Sequence, residues 1–478
     1  MNNEIKLFIE DYTKELREEN VAVFAGAGMS IPSGHLDWRN LLKPLARELQ
    51  IDIERENDLV SLAQYYCNEN GGSRQRISQL IMDEFSRQST PSQNHKILSR
   101  LPISTYWTIN YDKLIEKALE NEGKIVDVKY SNDQLTLTKP RRNAIVYKMH
   151  GDVEHPHNTI IIKDDYEKYV LEYEPFITAL SGDLICKTFL FIGISFTDPN
   201  LDYILSRIRI TYKQQQRRHY CFMERVIKKE EEKIEEFEYR KRKQELWVQD
   251  LKRFNIKVIL LDSYNEITGI LQEIEKNYKQ NKVFISGSAN EYGIWKNEDA
   301  KQFIHKLSIE LIKNDFNIIS GFGLGVGSLV ITGALEELCF GQKQIQDERL
   351  VLRPFPQEIL TEHNREELWK DYRQDMINKA GISIFIFGNK IVDDNIVNAQ
   401  GVRQEFEIAL SLNNKIIPVG ATGFMAEEIW NEVKSNFQEF YPDASEKVVH
   451  GFESLNDKEL DYSTLIKRIL HFIELVKD

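Results

Sequence analysis

One ten-residue stretch, VAVFAGAGMS from Val21 to Ser30, constrains the fold of this chain more than any other. Val21 to Phe24 are apolar and predict a short, buried parallel strand. Glycine in the next positions permits a sharp turn and leaves no side chain between the backbone N–H groups and a ligand. A strand that enters a glycine loop and then a helix forms the usual cradle for a diphosphate, because the helix N-terminus attracts anions. A plain tight turn has the same pattern, so the loop alone identifies no ligand.

Two polar clusters later in the first half strengthen the prediction of a site. TINYD, Thr108 to Asp112, comes at the end of a predicted strand from Leu101 to Thr108. HGD, His150 to Asp152, comes after a predicted strand from Ala144 to Met149. Helix capping or a loop histidine explains each cluster alone. Together with the glycine loop they favour a ligand site, since ligands bind outside the carboxyl ends of parallel strands.

The segments around these clusters predict an α/β sheet with an insertion. Several helical patterns lie between the first two strands, from Trp38 to Gln88, and we expect them to form a lobe that covers the ligand. A buried strand, Phe189 to Ile192, leads into Gly193 and Ser195, which we expect to line a nucleotide site. Asp198 and Pro199 fit a helix cap and a first helical position. The charged stretch 226–251 predicts one long solvated helix.

The α/β pattern begins again after a polar segment, Lys279 to Lys282, which we interpret as the domain boundary. A chain of 478 residues is too long for one core, so we predict domains at 1–282 and 283–478. In the second half, a strand ends at Ser320 and the alternating glycines of Gly321 to Ser328 follow it. This pattern predicts a second phosphate-type loop and a nucleotide-like ligand.

Composition excludes several classes of protein. A net charge of −13 disfavours nucleic acid as the main partner. The four cysteines are scattered without a CxxC pair, so we expect no zinc site and reduced thiols, as in a cytoplasmic protein. No stretch approaches the ~18 apolar residues of a membrane span, and the N-terminus lacks the apolar core of a signal peptide. We therefore expect a cytoplasmic location, no membrane association and no metal cofactor.

AGAGMS, TINYD and HGD, in this order, resemble the sirtuin family over roughly residues 1–280. The resemblance implies a Rossmann-type parallel sheet and NAD+ as the substrate. It implies a catalytic base at His150, with Asn110 and Asp112 beside the nicotinamide ribose. It also implies NAD+ contacts from a further set of residues: Ala25, Gly26, Ala27, Gly28, Ser30, Gly193 and Ser195.

The chemistry of the three catalytic candidates fits cleavage of the nicotinamide–ribose bond, which leaves positive charge on the ribose. His150 has an ordinary pKa range suited to accepting a proton. Asn110 can donate and accept hydrogen bonds, and Asp112 either stabilises the developing cation or caps a helix. An NAD-dependent protein deacylase stays the alternative enzyme, and a non-enzymatic nucleotide-binding module is the third hypothesis. The family's zinc-binding cysteine pairs are absent and Ile109 replaces the glutamine of its TQN motif, which disfavours deacylation.

The second half resembles the SLOG ligand-sensing family, through FISGSA, SGFGLGVGS, IFIFGNK and GVRQEFEIAL. This resemblance implies a second Rossmann-like domain. It also implies an effector site formed by Ser288, Gly323, Gly325, Val326, Gly327, Arg373, Lys390 and Glu405. Without the resemblance, the pattern around Arg373 favours an ordinary surface position on a charged helix.

A sirtuin-like domain followed by a SLOG domain is similar to the NAD-consuming effectors of the bacterial Thoeris antiphage defence system. The resemblance implies an NAD+ glycohydrolase that releases nicotinamide and ADP-ribose. It implies activation by a cyclic ADP-ribose isomer, made by a TIR-domain protein and bound by the SLOG domain. It also implies a homo-oligomer, a tetramer in this family.

Overall fold

The apolar run after residue 20 forms the central strand of a parallel sheet. In this computed structural model, which describes residues 2–212, 216–341, 349–354 and 365–477, the strand spans Val21–Ala25 and all five of its residues are buried. A strand covered on both faces needs apolar side chains on both faces, which explains the unbroken run. The chain divides into two units, Met1–Glu275 and Lys276–Asp478.

The first unit is built on seven parallel strands in the order β3-β4-β2-β1-β5-β6-β7. Strand β1 lies between β2 and β5, with Val23 opposite Tyr106 and Leu190. The strand order therefore reverses beside β1, which is where α/β sheets bind ligands. The strands are β1 (Val21–Ala25), β2 (Thr105–Thr108), β3 (Val126–Lys129), β4 (Ala144–Lys148), β5 (Thr188–Ile192), β6 (His219–Glu224) and β7 (Ile256–Leu261).

Helices cover this sheet, and four of them lie between β1 and β2. The helical insertion predicted from the sequence is therefore confirmed. The helices up to the end of the first sheet region are α1 (Asn3–Arg17), α2 (Trp38–Glu48), α3 (Leu59–Glu69), α4 (Gln75–Phe85), α5 (Gln93–Arg100), α6 (Leu114–Asn121), α7 (Asn132–Leu135), α8 (Lys163–Glu172), α9 (Glu174–Cys186), α10 (Pro199–Tyr212), α11 (Ile234–Leu251) and α12 (Glu266–Lys279).

The segment that follows the glycine loop is built from turns. No α-helix begins there; two short 3₁₀ turns follow, Ala27–Met29 and Ile31–Ser33, and α2 begins only at Trp38. Hydrogen bonds three residues apart, such as Ser30 N–H to the Ala27 carbonyl at 2.9 Å, close the turns. The glycine loop therefore has no helix N-terminus directly behind it, unlike the usual diphosphate cradle, and α2 begins at Trp38, where the predicted helical patterns begin.

The long charged helix is also shorter than predicted, since α11 begins at Ile234 instead of residue 226. The preceding segment runs back beside the helix, where the Val226 N–H donates to Gln244 Oε1 at 3.0 Å. Arg240 holds it there with a hydrogen bond from Nε to Glu232 Oε1 at 2.6 Å. These contacts between distant positions replace the i,i+4 pairing that the charge pattern suggested.

The second unit has a five-stranded parallel sheet in the order β10-β9-β8-β11-β14, together with a separate antiparallel hairpin of β12 and β13. The α/β fold class predicted for both halves is confirmed. The sequence analysis did not predict the hairpin. The strands are β8 (Lys282–Ser286), β9 (Asn317–Ser320), β10 (Leu350–Leu352), β11 (Ile382–Phe385), β12 (Asn389–Val392), β13 (Asn395–Asn398) and β14 (Lys415–Pro418).

The helices of the second unit pack around one apolar core that contains residues of every strand in the main sheet except β10, of which Leu350 and Val351 are partly buried against it. The glycine-rich segment after β9 leads directly into α14, as predicted. The helices are α13 (Asn297–Lys313), α14 (Gly327–Glu336), α15 (Arg365–Asn378), α16 (Gln400–Ser411), α17 (Phe424–Ser435), α18 (Phe437–Phe440), α19 (Glu446–Glu453) and α20 (Tyr462–Lys477).

Candidate active site

The polar clusters of the first unit follow four neighbouring strands. Gly26 follows β1, Asn110 follows β2, His150 follows β4 and Gly193 follows β5. Because β4, β2, β1 and β5 are consecutive and parallel, their carboxyl ends meet at one edge of the sheet. A cavity of about 370 Å³ opens at this edge. Its lining includes eight of the ten residues expected there: Ala27, Gly28, Ser30, Asn110, Asp112, His150, Gly193 and Ser195; Ala25 and Gly26 lie outside the lining.

The glycine loop is held against the loop after β5. A Cβ atom on Gly26 would lie 2.4 Å from the Gly193 carbonyl oxygen, and one on Gly193 would lie 2.3 Å from the Met29 nitrogen. The N–H groups of Gly26 and Gly28 donate to the carbonyls of Ile192 and Gly193 at 2.9 and 3.0 Å. These glycines are therefore required for contact between two loops, and these two N–H groups point to protein acceptors instead of a diphosphate.

A chain of hydrogen bonds fixes the polar side chains after β2. Asn110 Nδ2 donates to the Gly26 carbonyl at 2.9 Å and to Ser30 Oγ at 3.0 Å. Ser30 Oγ donates to Asp112 Oδ2 at 2.7 Å, and Asp112 Oδ1 accepts from the Leu114 N–H at 2.9 Å. Asp112 therefore accepts from the first N–H of α6, one position ahead of the N-cap Lys113, while it also lines the cavity. The amide nitrogen of Asn110 already donates two hydrogen bonds, so the amide oxygen, Oδ1, is the atom suited to accept from a hydroxyl or a water.

His150 lies in an aromatic and acidic environment. Its ring packs edge-to-face on Tyr166 and Tyr169, with centroids 5.5 and 6.4 Å away. Its Nε2 lies 3.3 Å from Asp198 Oδ2. Burial lowers the pKa of His150 below its usual value, although Asp198 and Asp165 oppose the shift. The neutral imidazole, which is the form able to accept a proton, is thereby favoured at pH 7.

Asp198 is a site residue that the sequence analysis treated only as a helix cap. The cap exists, because Asp198 Oδ1 accepts from the Leu201 N–H at 2.9 Å. The other oxygen, Oδ2, faces His150 and accepts from the Tyr166 hydroxyl at 3.3 Å. Only the order of β4 and β5 in the sheet brings positions 150 and 198 together. The position of Asp198 after a buried strand was the one signal available in the sequence.

A buried lysine supports the site from below. Lys148, the last residue of β4, donates to the carbonyls of Tyr111 and Asp112 at 3.1 and 2.6 Å. It also donates to Glu116 Oε1 at 3.1 Å and Asp152 Oδ2 at 2.6 Å. Burial alone would lower the pKa of Lys148, but the two carboxylates outweigh it and hold the pKa above its usual value. A single ammonium group therefore ties the segment after Asn110 to the segment after His150.

The helical insertion supplies one wall of the cavity, as expected of a lobe over the ligand. The contributing residues come from the approach to α2 and its first turn, from the start of α3 and from the end of α4. They are Leu36, Asp37, Trp38, Arg39, Leu59, Val60 and Phe85. Trp38 and Phe85 give this wall aromatic surface, which suits a nicotinamide or adenine ring.

The second unit has its own concave surface, bordered by β8, α15 and α16. Arg373 Nε lies 3.6 Å from Glu405 Oε1, and Ser286 Oγ donates to Glu405 Oε2 at 2.6 Å. Burial raises the pKa of Glu405, although Ser286 and Arg373 oppose that shift. Of the residues expected at an effector site, Ser288, Gly323, Arg373, Lys390 and Glu405 line this surface.

The remaining expected effector residues support this surface without lining it. A Cβ atom on Gly325, where φ is +71°, would lie 1.9 Å from the Ala289 carbonyl oxygen. One on Gly327 would lie 2.5 Å from the Phe322 Cα. Val326 is buried just before α14. These residues therefore shape the loop after β9, and residues 321–324 of the same loop line the surface.

Other features of the described residues bear on the kind of site. The four cysteines are all free thiols. In the described ranges, no cluster of three or more histidine, cysteine, aspartate or glutamate side chains suits a metal ion. No helix among those ranges is long and apolar enough to cross a membrane.

Comparisons with known families agree with this two-unit organisation. The SIR2-like domain matches residues 104–245, and the Sir2- and TIR-associating SLOG family matches residues 266–476. The chain is thus a SIR2-like domain joined to a SLOG-type domain.

Several relatives match the chain over its full length. The chain is 57% identical to the NAD(+) hydrolase ThsA of Bacillus cereus (strain MSX-D12) over all of both chains. It is 48% identical to that of Acinetobacter baumannii (strain 532279) over 99% of each chain, and 47% identical to that of Cytobacillus dafuensis over 100% of this chain and 98% of the relative. The chain belongs to the ThsA family of NAD(+) hydrolases, and the family resemblance predicted from the motifs is confirmed.

Proposed function

We propose that this protein hydrolyses NAD+ to nicotinamide and ADP-ribose in the cavity at the carboxyl ends of β1, β2, β4 and β5. The observation that carries the proposal is the convergence of Asn110 and the buried His150 on this cavity. The names of full-length relatives in three bacteria support the same activity.

The charges of the cavity fit the reaction. Cleavage of the nicotinamide–ribose bond develops positive charge on the ribose, and the lining contains the carboxylates of Asp37, Asp112 and Asp198. Carboxylates at a developing cation stabilise the transition state more than the ground state. Asn110 Oδ1 holds a ribose hydroxyl or the attacking water. His150 accepts a proton from it, and the ring keeps its neutral form until that step because it is buried.

Water is the proposed acceptor of the ADP-ribosyl group. A deacylase would use an acyl-lysine instead and would need a channel for a peptide. The wall formed by the helical insertion places the apolar side chains of Leu36, Trp38 and Phe85 around the cavity. This apolar surface limits the number of waters near the nicotinamide–ribose bond.

The effector surface of the second unit is proposed to bind a cyclic ADP-ribose isomer. Arg373 offers a planar guanidinium and Lys390 a point charge to phosphate oxygens. Glu405 fixes Arg373 from behind, and Trp369 adds an aromatic face to the same surface. Binding there switches on hydrolysis in the first unit, and a TIR-domain protein is the proposed source of the ligand.

Control by such a ligand favours a homo-oligomer, for which a tetramer is the proposal. A shift from about 1% to about 99% active protein needs roughly 5.5 kcal/mol of differential binding. One allosteric site typically supplies only about 1–3 kcal/mol. Several coupled sites in one oligomer together supply the differential binding free energy that a single site lacks. In the cell, the proposed outcome is depletion of cytoplasmic NAD+ during phage infection.

The test is a peptide-free reaction of purified full-length protein with NAD+, with and without a cyclic ADP-ribose isomer, followed by chromatography. We expect nicotinamide and ADP-ribose, with a rate that rises when the isomer is added. His150→Ala should lower the rate by about 10²–10⁴-fold, the usual contribution of a general base. His157→Ala is the matched control, because His157 is an exposed histidine outside the cavity lining. A strict requirement for an acylated peptide would identify a deacylase and refute the proposal.

A further inference from the structure

We infer that Asp198 is the positioning residue of the active site: it orients the His150 ring and stabilises the imidazolium that forms when His150 takes a proton. The inference rests on the proposed NAD+ hydrolysis, because it assigns His150 a partner in that reaction. Neither the sequence motifs nor the names of the relatives assign this aspartate a role beyond the helix cap.

Geometry places one carboxylate oxygen beside the base. Asp198 Oδ2 lies 3.3 Å from His150 Nε2, and both side chains are buried, at 7% and 2% exposure. The two atoms are within ion-pair distance without an aligned hydrogen bond. Such loose pairs are common in active sites before the substrate is bound, and they tighten in the reacting complex.

The position of Asp198 is fixed from two other sides. Its Oδ1 accepts from the Leu201 N–H and anchors it to the first turn of α10, and the Tyr166 hydroxyl donates to Oδ2. A carboxylate held in this way cannot rotate away from the imidazole without losing both contacts. This arrangement is that of a second residue that orients a base and stabilises its protonated form.

The other charged groups near His150 do not replace Asp198. Asp165 in α8 contributes a weaker attraction, and Arg74 neutralises it through an ion pair of 2.7 Å. Tyr166 and Tyr169, also in α8, present ring faces and edges to the imidazole. Within the described ranges, no lysine or arginine lies within ion-pair distance of Asp198, so its negative charge is compensated only when His150 is protonated.

The step that uses this pair is a proton transfer. The O–H bond of the attacking water breaks, its proton binds the free imidazole nitrogen, and the oxygen uses the electron pair to bond the ribose carbon. The bond from that carbon to nicotinamide breaks at the same centre, and nicotinamide leaves as a neutral molecule with the electron pair of that bond. The imidazolium is then paired with the Asp198 carboxylate until the proton leaves to solvent. Without the carboxylate, a buried imidazolium would have no counter-charge, which disfavours the transfer.

The test compares Asp198→Asn with Asp202→Asn in the full-length protein. Asparagine keeps the shape and the capping oxygen, removes the charge, and replaces the acceptor Oδ2 that faces His150 and Tyr166 with an amide nitrogen. Asp202, an exposed residue in the first turn of the same helix, controls for the loss of one carboxylate. The first measurement is kcat and KM for NAD+ with activator present. The second is the titration of the His150 ring, followed by NMR with labelled histidine, and the His150→Gln variant identifies which signal belongs to this ring.

We expect Asp198→Asn to lower kcat by about 10- to 100-fold, a part of what a general base contributes, with little change in KM. The His150 pKa should fall further, so the acidic limb of the pH–rate profile moves to lower pH. Asp202→Asn should behave like the parent in both measurements.

Each other outcome is informative. An unchanged His150 titration together with an unchanged kcat would overturn the inference, and a rise in KM alone would make Asp198 a substrate contact instead. If the parent protein does not hydrolyse NAD+ at all, the proposed function fails, while the NMR titration still decides whether the two side chains are coupled.

Discussion

Replacement of the buried Lys148 by methionine is the sharpest test of how the site is held together. Methionine keeps most of the apolar stem but removes the ammonium group, which contacts Tyr111, Asp112, Glu116 and Asp152. The variant leaves two buried carboxylates, at 6% and 2% side-chain exposure, without a cation. We expect the first unit to lose stability.

The size of the loss follows from the pair that is broken. Removal of one partner of a buried ion pair costs about 3–5 kcal/mol. Glu116 limits the loss, because burial already raises its pKa and protonation removes its charge. At pH 7 we therefore expect the lower end, about 3 kcal/mol.

The loss should also depend on pH, with a definite sign. In the variant, folded Glu116 holds its proton at pH values where the unfolded chain has released it. The folded state then binds more protons than the unfolded state, so the free energy of unfolding falls as pH rises. For one proton the slope reaches about 1.4 kcal/mol per pH unit, and it acts above the ordinary glutamate pKa, up to the raised pKa of the folded state.

The loss of stability and its pH dependence are measured in the full-length protein by hydrogen exchange with mass spectrometry. Exchange is followed at several pH values, and the rates are corrected for intrinsic exchange. Peptides from β2 and β4 report on the first unit, and a peptide from β11 in the second unit is the internal reference. Lys14→Met, at an exposed lysine of α1, controls for the substitution itself. Exchange from β2 and β4 equal to the parent, or a difference that shrinks as pH rises, would refute the reasoning.

Two further predictions concern backbone contact and ligand binding. Gly193→Ala should unfold or strongly destabilise the first unit in thermal melts, because the added Cβ meets backbone at 2.3 Å and the residue has φ of +66°. Gly182→Ala in α9 is its control: a Cβ there meets nothing within 4 Å, so this variant should be neutral or slightly stabilising. Arg373→Ala should lose binding of a cyclic ADP-ribose isomer by calorimetry, by tenfold or more for a charge-assisted contact, while NAD+ still binds; undiminished binding of the isomer would place the effector site elsewhere.

Local patterns predicted the strands and the residues that follow them. Four apolar residues after residue 20 were enough to indicate β1, because a strand buried on both faces has a distinctive composition. Asn110 and His150 were recognisable because polar residues at strand ends are placed by the sheet itself. These predictions depend only on the succession of strands and helices along the chain, which local sequence patterns indicate.

The contacts between loops were beyond prediction for a physical reason. The glycines at positions 26 and 28 were interpreted as a cradle for phosphate, but their N–H groups donate to Ile192 and Gly193. Asp198 was interpreted as a cap, and its second oxygen faces His150. Both facts depend on the order of the strands, in which β5 lies beside β1 and β4 lies two strands away on the other side, and this order is set by the packing of the whole sheet.

The close contact between the loops after β1 and β5 also determines when the cavity can form. Its two sides are about 165 positions apart in sequence, so no local folding event creates it. During synthesis from the N-terminus, β1, β2 and β4 leave the ribosome before β5, and the wall that contains Gly193 and Asp198 is the last to arrive. A nascent chain or a truncated product that ends before β5 therefore carries His150 and Asn110 without a closed site. The proposed activity destroys an essential metabolite, and incomplete chains would lack this activity because their site is not closed.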